Sequence, residues 1–81
     1  MNVNHIRLTI TVINFDRKKI YGYEDSDGRR VVFTMVIPQK LSYGLDLMLK
    51  SLKQGETVVF GFDKIKIKDY QLKMIRSIIK I

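Results

Sequence analysis

Apolar and polar residues alternate along the first part of the chain. One parity is apolar and comprises Ile6, Leu8, Ile10 and Val12. The other parity is polar and comprises Arg7, Thr9 and Thr11. A period of two is the signature of a strand that buries one face. The pattern therefore predicts a first strand over residues 6–15.

Two further strands are predicted before any helix. A basic turn at Asp16–Lys19 leads into a second strand at Ile20–Glu24. The residues Glu24–Gly28 predict a hairpin turn whose glycine is free to adopt positive φ. The third strand is predicted over Arg29–Ile37, and the following Pro38 ends it because proline cannot donate to a ladder. Both parities of this third strand are apolar, so the pattern allows either face to be buried.

Between Ser42 and Gln54, the spacing of the apolar residues changes to the spacing typical of a helix. The apolar positions there are Leu45, Met48, Leu49 and Leu52. A serine before such a run is a good N-cap, and a glycine after it is typical of a helix end. The sequence predicts one short helix, capped by Ser42 and followed by Gly55.

Two strands are predicted after the helix. Val58, Phe60 and Phe62 share one parity, and the apolar parity switches near Asp63, which predicts a bulge or bend there. The segment 71–81 fits two interpretations. Its leucine and isoleucine spacing suits a helix face, whereas its isoleucine density and the preceding turn favour a closing strand.

Composition supports an all-β domain. The chain has 81 residues, no alanine, and 22 isoleucine, valine and threonine residues, and β-branched residues favour strands. Three strands, a short helix and two strands are the element order of the OB-fold, a small five-stranded Greek-key barrel. We therefore expect one OB-fold-like domain spanning residues 1–81.

The charge balance indicates a polyanionic partner. Fifteen Lys and Arg against eight Asp and Glu give a net charge of +7. Each phosphate that a protein neutralises releases condensed counterions and adds to affinity. Basicity alone also fits solubility, a membrane surface or an acidic protein, so it does not identify nucleic acid.

The residues that catalysis or a cofactor would need are scarce. There is no cysteine and a single histidine, His5, and no phosphate-binding glycine loop has the required spacing. We expect no enzymatic activity and no cofactor. The stretch Met1–Phe15 alternates in polarity, unlike a signal peptide or a membrane span. A cytoplasmic protein with no membrane association is the expectation.

The stretch from Lys19 to Met35, "KIYGYEDSDGRRVVFTM", resembles the cold-shock domain. That family has a strand of the form Lys-Gly-aromatic-Gly-aromatic-Ile, an Asp-Gly turn, and a strand reading Val-Phe-Val-His. The matching positions are Lys19, Tyr21, Gly22, Tyr23, Asp27, Gly28, Val32 and Phe33. Phe15 falls on a family Phe upstream, and "LKQGETVVF" resembles the family's entry into its fourth strand. Ile20, Asn14, Glu24 and Met35 depart from the family's residues.

The resemblance implies a surface on which bases of single-stranded RNA or DNA stack. It places Tyr21, Tyr23, Phe33 and Met35 on one outer platform, bordered by basic residues. The full set of predicted nucleic-acid-binding residues is Phe15, Arg17, Lys18, Lys19, Tyr21, Tyr23, Arg29, Arg30, Phe33, Met35, Lys64 and Lys66.

Several alternatives stay open at the level of sequence. Phe33 and Met35 fit the core equally well by parity. Lys64, Lys66 and Lys68 share one parity and fit either a phosphate track or a solvated edge that discourages sheet pairing. Tyr43 and Tyr70 either extend the stacking surface or cover a barrel end. The rival function is a protein-interaction module, including a homodimer paired through an edge strand.

Overall fold

The computed structural model describes residues 4–81. The elements in chain order are β1 (Asn4–Asn14), β2 (Lys19–Ser26), β3 (Arg29–Val36), α1 (Tyr43–Lys50), β4 (Thr57–Ile67) and β5 (Tyr70–Lys80). The strands close into a barrel in the order β1-β2-β3-β5-β4, with α1 between β3 and β4 in the chain. This confirms the predicted five-stranded OB-fold-like barrel, and it confirms that the last segment is a strand.

Strand β1 joins two halves of the barrel. Its first half, up to Thr9, pairs with β4, and its second half pairs with β2. The register shifts between Ile10 and Val12, which leaves Thr11 as an extra residue in the β2 ladder. The Thr11 hydroxyl donates to the carbonyl of Tyr21 at 3.1 Å. The bulge reverses the side-chain parity of the strand, so Val12 points outward and is 49 % exposed, contrary to the inward position that the alternation predicts.

The turn between β2 and β3 is the one the sequence predicts. Asp27 and Gly28 have φ of 51° and 75° and connect Ser26 to Arg29 directly. Positive φ at both central residues matches the twist of the flanking strands, which is why Asp-Gly is preferred at such hairpins. The turn therefore sets the register of β3 on β2.

Helix α1 starts where predicted and ends earlier than predicted. The Ser42 hydroxyl accepts a hydrogen bond from the Leu45 amide at 3.2 Å, which confirms the N-cap. The helix ends at Lys50, and Leu52 leaves the helical path to be buried in the core. Gly55, at φ 89°, turns the chain into β4, and its amide donates to the Ile10 carbonyl at 2.7 Å.

Strands β4 and β5 form a long hairpin. The register shifts between Gly61 and Phe62, close to the bend predicted near Asp63. The barrel closes through a single parallel pair, Val36 with Met74. Among residues 4–81, β3 and β5 pair with each other only there, so the outer end of the β4–β5 hairpin has no ladder partner on β3. We call residues 64–73 the basic arm.

The core is entirely apolar among the described residues. Its members are Leu8, Ile10, Ile20, Met35, Ile37, Leu49, Leu52, Val58, Phe60, Phe62, Ile75 and Ile78. Phe60 and Phe62, which share one parity in β4, are both buried. Met35 is 0 % exposed, so the prediction that it lies on an outer platform is wrong. It is paired with Ile20 across the β2–β3 ladder, and directly paired residues share one face of a sheet.

Candidate functional site

The two tyrosines of β2 point outward, as predicted. Their neighbours Ile20 and Gly22 are buried, whereas Tyr21 and Tyr23 are half-buried. A Cβ built on Gly22 would lie 2.9 Å from the Thr9 carbonyl oxygen and 3.1 Å from Leu8 Cβ. Only glycine lets β1 approach β2 this closely, so the inner position between the tyrosines has no side chain. The tyrosines therefore occupy the solvent side of the sheet.

Neighbouring strands complete this outer surface. Tyr23 lies between Thr9 and Val32 in one cross-strand row, and Tyr21 lies between Val12 and Thr34 in the next. We call these six residues the tyrosine face. Val32 and Val12 are 66 % and 49 % exposed. The surface holds two rings two residues apart, about 6.6 Å along the strand, with exposed aliphatic groups on both sides.

Phe33 belongs to the opposite side of the sheet. It is paired with Gly22 and is half-buried against the core. The prediction that Phe33 shares a platform with Tyr21 and Tyr23 is therefore wrong. The Lys73 ammonium, which the sequence analysis did not single out, lies 5.6 Å from the ring centroid.

Arg30 is the basic residue most closely joined to the tyrosine face. Its Cζ lies 3.8 Å from the Tyr23 ring centroid, and its Nε donates to Asp25 Oδ1 at 3.3 Å. Guanidinium groups stack on aromatic faces through cation–π attraction. The prediction that Arg30 borders the aromatic surface agrees with this position, and Arg29 is exposed next to it.

A polar hollow of about 270 Å³ lies beside Tyr23. Its lining comprises Arg7, Thr9, Tyr23, Glu24, Asp25 and Thr57. The hydroxyls of Thr9 and Thr57 are hydrogen-bonded at 2.8 Å. Carboxylates beside a ring can accept hydrogen bonds from the amino groups of a base, and an arginine can bind a phosphate.

The β1–β2 turn carries the remaining predicted residues of this side. Phe15, Arg17 and Lys18 are exposed, and Lys19 is half-buried. The Asn14 side chain accepts from the Arg17 amide at 3.1 Å and holds the turn. Phe15 lies over a separate cleft against α1 and not on the tyrosine face. The structure therefore places Phe15 and Lys18 of the predicted binding residues at a location separate from the tyrosine face.

The basic arm has one cationic and one apolar face. Lys64 is directly opposite Lys73, and Lys66 is opposite Gln71, so these residues share a face. Lys68 lies in the turn beyond β4, at φ 53°, and does not continue the stripe. Like charges directly opposite each other are destabilising. None of these lysines has a carboxylate within 4.0 Å among residues 4–81.

The tyrosines outside the face are strongly exposed. Tyr43 begins α1 and is 79 % exposed, and Tyr70 begins β5 and is 71 % exposed. Neither lies on the tyrosine face.

No helix among the described residues is both long and apolar enough to span a membrane. No group of three His, Cys, Asp or Glu side chains that could hold a metal occurs in residues 4–81.

Comparison with solved structures identifies a neighbour of the same fold. The chain is similar to the crystal structure of Ag(I)CusF, with a TM-score of 0.66 and 18 % sequence identity over 100 % of both chains. At this identity the likeness shows the fold, an OB-like barrel. No protein-family model matches the chain, and no curated protein matches it. The resemblance to the cold-shock domain stays a prediction.

The silver(I) ion belongs to that neighbour. Soft ions of this kind prefer thiolate, thioether and imidazole ligands. In this chain Met35 is enclosed in the core, and His5 and Met74 lie on β1 and β5, which β4 separates in the sheet. Among the methionines of residues 4–81, Met35 is therefore closed to an external ion.

Proposed function

We propose that this protein binds single-stranded RNA or DNA by stacking bases on the tyrosine face. The observation that carries the proposal is the outward position of Tyr21 and Tyr23, imposed by buried Ile20 and by Gly22. A pair of aromatic rings on the solvent side of a sheet offers stacking surfaces to a ligand. Stacking on such rings is worth about 1–3 kcal/mol per base and tolerates any base.

Geometry supports a single strand over a duplex. The two rings are spaced along one β-strand by about 6.6 Å, so consecutive unstacked bases can each meet one ring. In a duplex the base faces are hidden by their neighbours, and only phosphates and groove edges stay accessible. We therefore expect weaker binding to double-stranded nucleic acid.

The distribution of charge also supports a phosphate ligand. The four ion pairs of the described chain engage Asp25, Asp46, Glu56 and Asp63. The basic residues left without a carboxylate within 4.0 Å include Arg7, Arg17, Lys18, Lys19, Arg29, Lys64, Lys66 and Lys73. Because only four of the fifteen Lys and Arg side chains form ion pairs within residues 4–81, most of the basic side chains are available to an external anion.

A fluorescence titration tests the proposal. Short oligothymidine and oligouridine are added to the protein at two salt concentrations, and tyrosine emission is recorded. We expect quenching, with log affinity falling linearly against log salt because phosphate contacts release counterions. Emission that stays unquenched at micromolar oligonucleotide in low salt would contradict the proposal.

A second candidate function is docking of a protein strand on β3. The Ile37 amide donates to the Lys18 carbonyl at 2.9 Å, so the backbone groups of odd residues in β3 point toward β2. Arg30, Val32 and Thr34 therefore direct their amides and carbonyls to the other edge. Among residues 4–81, β5 pairs with that edge only at Val36. An unpaired strand edge can accept another strand, including one from a second copy.

Salt and exchange measurements separate the two candidates. Strand addition would protect the amides of Arg30, Val32 and Thr34 from hydrogen exchange and would depend little on salt. A homodimer would also double the mass at high protein concentration. Nucleic-acid binding would leave these amides unprotected and would weaken steeply with salt.

A further inference from the structure

A cleft of about 220 Å³ lies between the β1–β2 turn and helix α1. Its floor is apolar. Ile37 and Leu49 are core residues with 4 % and 1 % exposure, and Leu41 packs against the core beside them. Phe15 also lines the cleft, and its side chain is 49 % exposed. An aromatic ring thus stands beside an apolar floor and remains accessible to solvent.

The rim of the cleft has one available cation. Lys50 and Asp46 line the rim and form an ion pair at 3.0 Å, so their charges offset each other. Lys18 also lines it and has no carboxylate within 4.0 Å among the described residues. Its backbone is held at φ 55°, with its amide donating to the Phe15 carbonyl at 3.2 Å and its carbonyl accepting from the Ile37 amide. The position of Lys18 at the rim is therefore set by main-chain hydrogen bonds.

The size and chemistry of the cleft select its ligand. Pockets for drug-sized ligands have about 300–1,000 Å³, so this cleft holds something smaller. A flat apolar face suits the Phe15 ring and the aliphatic floor, and a negative charge suits Lys18. A nucleobase joined to a phosphate has both features.

We propose that the cleft binds one nucleobase of a bound single strand, with its face against Phe15 and its phosphate at Lys18. The inference rests on the proposed nucleic-acid function and extends it to a second binding position. The connection between the tyrosine face and the β1–β2 turn supports this second binding position. Val12 is paired with Tyr21 and Asn14 with Lys19, so the turn that carries Phe15 follows directly from the strands of the tyrosine face. A nucleic-acid strand that runs from Tyr21 toward this turn would reach the cleft.

Methyl NMR of the full chain tests this position. Thymidine 5′-monophosphate, thymidine and hexanoate are titrated separately while the methyl signals of Ile37, Leu41 and Leu49 are followed. We expect saturable shifts with the monophosphate at millimolar concentration and at least threefold weaker binding of thymidine, which has no phosphate. Hexanoate carries a negative charge and an apolar chain without a base, and we expect it to leave the signals in place.

Variants identify the two contacts. Phe15→Ala should weaken the monophosphate at least fivefold because the stacking surface is lost. Lys18→Asn should reduce its affinity to that of thymidine, and asparagine tolerates the positive φ of this position. Lys68→Asn is the matched control. It removes the same charge from a hairpin turn at φ 53°, close to the 55° of Lys18, and should leave the affinity unchanged.

The outcomes separate this inference from the function on which it rests. If oligothymidine shifts the ring signals of Tyr21 and Tyr23 while no nucleotide moves the cleft methyls, the cleft inference is wrong and the proposed function stands. Hexanoate binding as tightly as the monophosphate would assign the cleft to acyl ligands and also overturn it. Equal decreases in affinity for the Lys18 and Lys68 variants would show nonspecific attraction and overturn it too. If oligothymidine shifts neither the ring signals of Tyr21 and Tyr23 nor the cleft methyl signals, the proposed function itself is contradicted.

Discussion

The Arg30 guanidinium lies over the ring of Tyr23, with 3.8 Å between Cζ and the ring centroid. Asp25 accepts from the same guanidinium and orients it. One face of the Tyr23 ring is thus already covered by a flat cation in the free protein. Because guanidinium planes themselves stack on bases, the pair can present arginine, and not only tyrosine, to a nucleotide.

The Arg30→Lys variant distinguishes the contribution of guanidinium stacking to oligothymidine affinity from the contribution of the positive charge. Lysine keeps the positive charge but has no plane to lie on a ring or a base. We expect oligothymidine affinity to fall about two- to tenfold. This decrease corresponds to a cation–π contribution of about 0.5–1 kcal/mol or somewhat more. The dependence of affinity on salt should not change, because the charge is kept. Arg29→Lys is the control, since Arg29 is exposed and not over a ring. An equal decrease in both variants would contradict a stacking role for Arg30.

Tyr21→Ala and Tyr23→Ala should weaken oligonucleotide binding by about 1–3 kcal/mol each. Both side chains are half-buried, so some stability is lost as well, but less than the about 3–5 kcal/mol expected for a core ring such as Phe60. Tyr43→Ala removes an equally large ring that is 79 % exposed and outside the face, and it should change neither quantity. Binding titrations and urea denaturation measure the two effects. Full affinity in both tyrosine variants would exclude the face as the binding surface.

Met35→Ala tests the corrected side-chain assignment. Met35 is 0 % exposed, so its truncation leaves a cavity and should cost about 2–5 kcal/mol of unfolding free energy. Thr34→Ala, at the preceding exposed position, should cost much less. In urea denaturation we expect the midpoint to move substantially for Met35→Ala only. A marginal shift for this variant would mean that the side chain is on the surface.

Two glycine substitutions should change the stability of the fold in opposite directions. Gly22→Ala places a Cβ 2.9 Å from the Thr9 carbonyl oxygen, and backbone there cannot yield without separating β1 from β2. We expect stability to fall by about 1–3 kcal/mol, typical of overpacking. Gly44→Ala adds a Cβ with nothing within 4 Å inside α1, and helix propensity predicts a gain of up to about 1 kcal/mol. Thermal unfolding of both variants shows whether each substitution raises or lowers the stability.

Lys64→Gln examines the basic arm. Lys64 faces Lys73 directly across the β4–β5 ladder, so removal of one charge relieves repulsion and should stabilise the fold by a few tenths of a kcal/mol, about the scale of cross-strand pairs. If the arm binds phosphates, the slope of log affinity against log salt should also become shallower by about 0.7 for each phosphate that is no longer neutralised. Lys53→Gln removes an exposed lysine outside the arm and should leave the slope unchanged. An unaltered slope for Lys64→Gln would remove the arm from the binding surface.

Local pattern accounts for the elements and for the tyrosines. The alternation over residues 6–10, the Asp-Gly turn and the Ser42 cap each depend on neighbouring residues only, and each appears in the structure as predicted. Tyr21 and Tyr23 could be placed outward because the residues between and before them are glycine and isoleucine. The OB-fold-like order of elements follows from the same local signals.

The orientation of β3 depended on a partner strand. Its two parities are both apolar, so period alone does not distinguish them. The pairing of Met35 with Ile20 and of Phe33 with Gly22 put both side chains on the inner face. Val12 was misplaced for a related reason, because a one-residue bulge at Thr11 reverses the parity of everything after it.

The amino-acid sequence by itself determined where strands, turns and the helix form, since those choices are decided by backbone preferences within a few residues. Tertiary structure alone decided that Phe33 and Met35 do not join the outward rings of Tyr21 and Tyr23, and that Phe15 stands over a cleft against α1. The physical reason is that these relations join residues far apart in the chain. Their register is set by whole-strand pairing and barrel closure, which no short window of residues contains.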